Sequence, residues 1–130
     1  PAYEYFSVVN HELPLDARIL MVGDSRAFYF KRQVDYCVAF NRNPFFEAVR
    51  TAATGRNLLN RLRDEGYTHI LVNWSEIGRL ASTYGFSPAV SPEQLEQTFD
   101  RLSAAGLSRL RAFPHPQKDK RYVELYEIPR

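Results

Sequence analysis

Four consecutive large apolar residues, Ile19 to Val22, are followed at once by the turn Gly23-Asp24-Ser25-Arg26 and then by an aromatic run. An uninterrupted apolar run of this kind is typical of a strand that is covered on both faces. Gly23 permits a tight turn, and the Asp and Ser side chains after it suit the cap of a following element. In open α/β sheets, ligands bind at the carboxyl ends of such strands. The stretch therefore predicts an α/β fold with a candidate site directly after the first strand.

The rest of the chain alternates helix and strand signals. Apolar spacing predicts a first helix that ends before Pro14 and a second over Asn57–Glu65, while Ser91-Pro92 opens a later one. β-rich segments predict strands over five ranges: Arg18–Val22, Gln33–Phe40, Tyr67–Asn73, Leu107–Phe113 and Arg121–Ile128. A helix that is followed by a strand after a single Gly is typical of a parallel crossover unit. The last two strands have no helix between them, so we expect them to pair antiparallel.

Together these signals predict one α/β domain over residues 1–130. The expected fold is a three-layer α/β/α sandwich, Rossmann-like, with a mostly parallel sheet of about five strands and a C-terminal antiparallel hairpin. The rule for parallel crossovers places the first strand between the second and the third.

Composition restricts the classes of function. Seventeen basic against fifteen acidic residues give a net charge of +2, which is too balanced to favour a nucleic-acid partner. The chain has no glycine-rich phosphate loop and no His, Cys and carboxylate cluster at metal-ligand spacing, so we expect neither cofactor nor metal. No apolar stretch is long enough to span a bilayer. The start at Pro1 leads us to expect a fragment of a larger protein.

Polar residues also follow the third predicted strand. If the first and third strands are neighbours, their carboxyl ends form one polar crevice that suits a sugar or a nucleotide. The candidate ligand-binding residues are Asp24, Ser25, Arg26, Asn73, Trp74 and Glu76. The alternative is structural, since Asp, Ser and Asn are common helix caps and a Trp is commonly part of the core.

Gly23-Asp24-Ser25 after an apolar strand resembles the first block of the Gly-Asp-Ser esterases and lipases, in which the Ser is the nucleophile. A small serine esterase that uses Ser25 is therefore one alternative function, and a nucleotide- or sugar-binding module is another. A Ser nucleophile needs a His that takes its proton and a carboxylate that orients the His. The Asp-x-x-His of that family is absent, and His69 lies inside a predicted strand, where a packed core role is expected.

Three stretches carry a second resemblance. They are Leu13 to Arg26, Leu62 to Asn73 with its Gly-Tyr-Thr-His-Ile-Leu-Val-Asn sequence, and Val123 to Ile128. Their order resembles the soluble C-terminal domain of large bacterial membrane proteins that are related to the polyprenyl-phosphate-sugar glycosyltransferases, the mannosyltransferase-like group. The resemblance covers nearly all of the chain.

This resemblance implies a non-catalytic domain, because the catalytic acidic residues of that group lie in loops of its membrane part. No catalytic residue is carried over. It further implies an extracytoplasmic position after the last membrane span, with the membrane-embedded part of the same polypeptide as partner. Binding of a carbohydrate, a lipid-linked sugar or a protein partner is the role that we expect.

Overall fold

The computed structural model describes residues 3–23, 33–37, 54–78, 92–114 and 121–130. In chain order the named elements are α1 (Tyr3–Glu12), β1 (Arg18–Val22), β2 (Gln33–Cys37), α2 (Gly55–Asp64), β3 (His69–Asn73), α3 (Pro92–Ala104), β4 (Ser108–Pro114) and β5 (Arg121–Glu127). Residues 74–78, after β3, are also helical. No helix in these described ranges is long and apolar enough to cross a membrane.

The described strands form one mixed sheet in the order β2-β1-β3-β5-β4. β1 pairs parallel with β2 on one side and with β3 on the other, which confirms the predicted central place of the first strand. β5 pairs antiparallel with both β3 and β4. The parallel part of the sheet therefore ends at β3.

The predicted Rossmann-like three-layer sandwich with a mostly parallel sheet is wrong. Among the described residues, two of the four strand pairs are antiparallel and the helices are few, so the molecule is a small α/β domain on a mixed sheet. The physical reason is the place of β5. Its residues Val123 and Leu125 are buried on one face and Tyr126 on the other, so β5 lies inside the sheet and β4 takes the edge.

The helices form largely where apolar spacing predicts them. In α2 the residues Leu58, Leu59 and Leu62 are buried, as expected from their shared face. The helix begins two residues earlier than predicted because the side chain of Thr54 caps it, accepting a hydrogen bond from the backbone N–H of Asn57 at 3.0 Å. In α3 the buried apolar residues are the predicted stripe of Leu95, Phe99 and Leu102.

Each face of the sheet has its own apolar cluster. On one face, residues of β1, β3 and β5 pack with Val9 and Leu13 from the first helix and the loop after it. On the other face, alternate residues of the same strands pack with the buried faces of α2 and α3. Ile19 to Val22 are at most 1% exposed, which confirms the prediction of a strand that is covered on both faces.

Candidate functional site

The site predicted at the carboxyl ends of the parallel strands lies partly within the described residues. Asp24, Ser25 and Arg26 lie outside them, whereas Asn73, Trp74 and Glu76 lie inside. The parallel register pairs Val22 with Val72, so the turn after β1 and the end of β3 are at the same edge of the sheet. The predicted crevice requires the ends of β1 and β3 to be neighbours, and this register makes them so.

Asn73 acts as a helix cap. It is 3% exposed, and its Oδ1 accepts a hydrogen bond from the backbone N–H of Glu76 at 3.0 Å. That N–H would otherwise have no acceptor within the helical residues 74–78, because the first turn of a helix lacks carbonyl partners. The Asn73 side chain is therefore committed to local structure, and Glu76, partly exposed, takes part through its backbone.

Gly23 brings the turn after β1 directly onto this helical segment. Its φ is +90°, a conformation that side chains other than that of glycine rarely adopt. A Cβ at this position would lie 2.6 Å from Cγ1 of Ile77 and 3.0 Å from the carbonyl oxygen of Asn73. The described part of this edge is therefore closely packed, and glycine is required for the approach.

Trp74 is partly buried and packs against the apolar cluster that contains α3. Its ring packs edge-on against Phe99, with 5.5 Å between centroids and 72° between planes. Its Nε1 donates a hydrogen bond to Oε1 of Glu124 at 2.7 Å. Since buried indole N–H groups need such an acceptor, the contact explains both the position and the orientation of the ring.

Glu124 is a buried carboxylate that the sequence analysis missed. It is 1% exposed and, besides Trp74, its Oε1 accepts from the hydroxyl of Tyr126 at 2.9 Å. Its Oε2 accepts from Nη1 of Arg109 at 2.9 Å, and this hydrogen bond is the main reason why the pKa of the Arg109 guanidinium is raised. A buried charge with an ionic partner and several donors is a stable arrangement, and its oxygens are already in use.

A signal for Glu124 was present in the sequence. Val123 and Leu125 occupy one face of the predicted last strand, and Glu124 shares the opposite face with Tyr126. Because both faces are apolar, a carboxylate between them is expected to be buried and to require donors. Trp and Tyr supply such donors, although the pairing of Glu124 with Trp74, fifty residues away, depends on the fold.

His69 lies far from the carboxyl end of β3, after which the predicted site residues follow. His69 pairs with Ile19 in the parallel register, three residues before the Val22–Val72 pair. At about 3.3 Å per residue, His69 is roughly 10 Å from that end of the strand. His11 is exposed on α1, and His115 lies outside the described residues. Within the described ranges, no group of three or more His, Cys, Asp or Glu residues could hold a metal ion.

Comparison with known proteins gives one structural likeness. No protein-family model matches the chain. No curated protein matches it either. The crystal structure of the C-terminal globular domain of an oligosaccharyltransferase from Archaeoglobus fulgidus resembles it with a TM-score of 0.49 and 16% identity, over 98% of this chain and 94% of that one. A structural likeness with this TM-score gives no evidence about function.

Proposed function

We propose that the chain is a non-catalytic domain of a membrane glycosyltransferase-like protein, exposed on the extracytoplasmic side and continuous with a membrane-embedded part. The observation that carries this proposal is the location of the residues behind the family resemblance. Arg18–Val22, His69–Asn73 and the strand that contains Val123 are three adjacent strands of the sheet. The apolar side chains that the structure describes in these strands are buried. The resemblance therefore concerns residues that build the sheet and not catalytic groups.

The hydrogen bonds of Asn73 and Trp74, at the carboxyl end of β3, agree with a non-catalytic role. Asn73 caps the helical residues 74–78, and Trp74 donates to Glu124, whose two oxygens have three donors between them. Of the proposed ligand contacts, the proposal therefore rests on Asp24–Arg26. The guanidinium of Arg26 suits the phosphate or carboxylate of a sugar derivative or an acceptor.

The position relative to the membrane is tested on the full-length protein in its own cells. Protease added to intact spheroplasts should remove an epitope inserted after Arg130, while a cytoplasmic control protein survives. The full reading frame should also encode several apolar segments of about 20 residues, each long enough to span a bilayer. Protection of the epitope until the membrane is permeabilised, or a frame without such segments, would refute the proposal.

Binding at the carboxyl ends is tested by thermal unfolding with sugar phosphates. A ligand at about 100 times its dissociation constant adds roughly 2.7 kcal/mol to the stability, which raises the melting temperature by several degrees. Arg26→Ala should abolish the shift. Arg56→Ala, the same change at an exposed position of α2, should not. A shift that survives Arg26→Ala would remove this site from the proposal.

A further inference from the structure

A cavity of about 400 Å³ lies at the opposite end of the sheet, beside His69, where β3 begins and β5 ends. Its apolar walls include Pro14 and Ala17 from the loop before β1 and Pro129 from the chain after β5. Side chains of both charges also line it: Asp16, Arg63, Glu127 and Arg130. Small-molecule sites are commonly of this size, with apolar walls and a few polar groups.

Arg63 of α2 brings a guanidinium with a fixed orientation to this cavity. Its Nε donates to the Pro129 carbonyl at 2.8 Å, and its Nη1 donates to Oδ1 of Asn60 at 3.0 Å. These two hydrogen bonds orient the planar group. Nη2 has no hydrogen-bond partner among the residues that the structure describes, so its two protons are available to an anion. A carboxylate is a preferred partner of such a group.

Glu127 brings the opposite charge to the cavity from the other face of the sheet. It shares a face of β5 with Leu125, which packs in the apolar cluster that includes α1, whereas α2 packs on the opposite face. The side chain of Glu127 is 55% exposed, and its Oε2 is 3.8 Å from Nε2 of His69, beyond hydrogen-bond distance. Within the described ranges its carboxylate therefore remains open to a donor.

His69 lies beneath the cavity and not in its open space. Its Nε2 exposes less than 1 Å² and has no hydrogen-bond partner in the described part of the chain, so a ligand atom in the cavity does not reach it. Its Nδ1 is 2.7 Å from the Thr68 hydroxyl. The contacts that the cavity offers a ligand are therefore its charged side chains and its apolar walls.

The separation of the two charges suits one small molecule. Pro129, which holds Arg63, lies two residues after Glu127, and Ile128 between them still pairs with Thr68 through a backbone hydrogen bond of 2.9 Å. Two residues of extended chain span roughly 7 Å. Two hydrogen bonds of about 2.8 Å, together with the few ångströms between the ammonium and the carboxylate of an α-amino acid, cover a distance of this order.

We propose that this cavity binds a free α-amino acid with an apolar side chain, whose carboxylate accepts from Nη2 of Arg63 and whose ammonium donates to Glu127. The apolar side chain packs against the walls at Ala17 and Pro129. A ligand with a single charge would leave one of the two protein groups without a partner. The site is independent of the function proposed above and of the predicted crevice at the other end of the strands.

The test is isothermal titration calorimetry of the chain at pH 7 with three related compounds. L-Leucine should bind saturably. L-Leucinamide, which lacks the carboxylate, and N-acetyl-L-leucine, which lacks the ammonium, should each bind at least tenfold more weakly. Equal binding of the three compounds, or no detectable binding of leucine, would overturn the proposal.

Two pairs of variants assign each charge to its residue. Arg63→Gln should weaken leucine binding at least tenfold but leave leucinamide binding unchanged, because leucinamide has no carboxylate for Arg63 to bind. Glu127→Gln should likewise weaken leucine binding but not that of N-acetyl-leucine. Arg56→Gln and Glu96→Gln, the same changes at exposed positions of α2 and α3, should alter neither. Leucine binding that is unchanged in Arg63→Gln or in Glu127→Gln would contradict the assignment.

Discussion

Glu124 is the residue on which the polar part of the core depends. Its carboxylate connects β5 to the end of β3 through Trp74 and to the edge strand β4 through Arg109. Since a buried carboxylate without donors is strongly destabilising, these contacts have to form together when the sheet folds. They fix the orientation of the Trp74 ring against α3, which the apolar contacts alone would leave less defined.

The first prediction concerns this carboxylate. Glu124→Gln keeps the shape of the side chain but removes its charge and turns an NH₂ group toward donors, so we expect a loss of about 2 kcal/mol in the free energy of unfolding. The measurement is urea denaturation followed by Trp fluorescence, with Glu96→Gln as the exposed control. Equal stability of the two variants would show that the hydrogen bonds of Glu124 contribute little to the free energy of unfolding.

For single residues with a local role, the sequence was sufficient to predict that role. Asn73 lies three residues before the N–H that it accepts from, so its capping role was one of the two alternatives visible in the sequence. Of the donors to Glu124, Tyr126 lies two residues away on the same strand, whereas Trp74 and Arg109 come from elements that no local pattern brings together. His69 is buried as expected for a histidine inside a strand, but the cavity beside it also needs Glu127 and the loop before β1, which only the fold brings together.

Among the elements, α2 and α3 are in close backbone contact. Gly55, at the start of α2, faces the backbone of α3, and a Cβ there would lie 2.5 Å from the carbonyl oxygen of Arg101. Glycine at this position lets the first turn of α2 pack directly on the neighbouring helix. The buried face of Leu58, Leu59 and Leu62 then reaches the sheet. The sequence pattern identifies the face of α2 but gives no sign of this contact.

The second prediction follows from that contact. Gly55→Ala places a methyl group against backbone that cannot rotate away, so α2 has to shift, at an expected cost of about 1–3 kcal/mol. Gly78→Ala is the matched control, because a Cβ there meets nothing within 4 Å. It should leave stability unchanged or raise it by up to about 1 kcal/mol. The measurement is thermal unfolding of both variants. If Gly55→Ala were as stable as the unaltered protein, α2 and α3 would not be in close contact.

For the whole molecule, the sheet separates two polar regions. The turn after β1 and the cap at Asn73 are at the carboxyl ends of the parallel strands, and the His69 cavity is at their amino ends. Between them the middle residues of β1 and β3 are apolar and buried on both faces.

The third prediction is a dependence of global stability on pH. Burial lowers the pKa of His69 in the folded state, with the charge of Glu127 opposing the effect. In the unfolded chain the ring returns to about 6.5, so below that pH the unfolded state binds more protons. The stability from this group is therefore complete above about pH 6.5 and is lost as the pH falls toward the lower folded pKa.

Urea denaturation between pH 5 and 7.5 measures this effect. His69→Asn, which keeps a polar group near Thr68 but does not titrate, should flatten the curve, while His11→Asn, at an exposed position, should not. NMR titration of the His69 ring in the unaltered protein provides the test if His69→Asn does not fold. A ring pKa at or above 6.5 would contradict the prediction.

The sequence by itself determined the local elements, because the interactions that form them are local. Apolar spacing placed the buried faces of α2 and α3, and the run from Ile19 to Val22 marked a strand covered on both faces. The parallel crossover rule also placed β1 between β2 and β3. The tertiary structure decided which strand is the edge, since β4 and β5 carry similar strand signals and only packing against both clusters places β5 inside. It also decided the pairing of Glu124 with Trp74 and Arg109 and the cavity beside His69. Both depend on elements that are separate in the sequence and meet only when the sheet is complete.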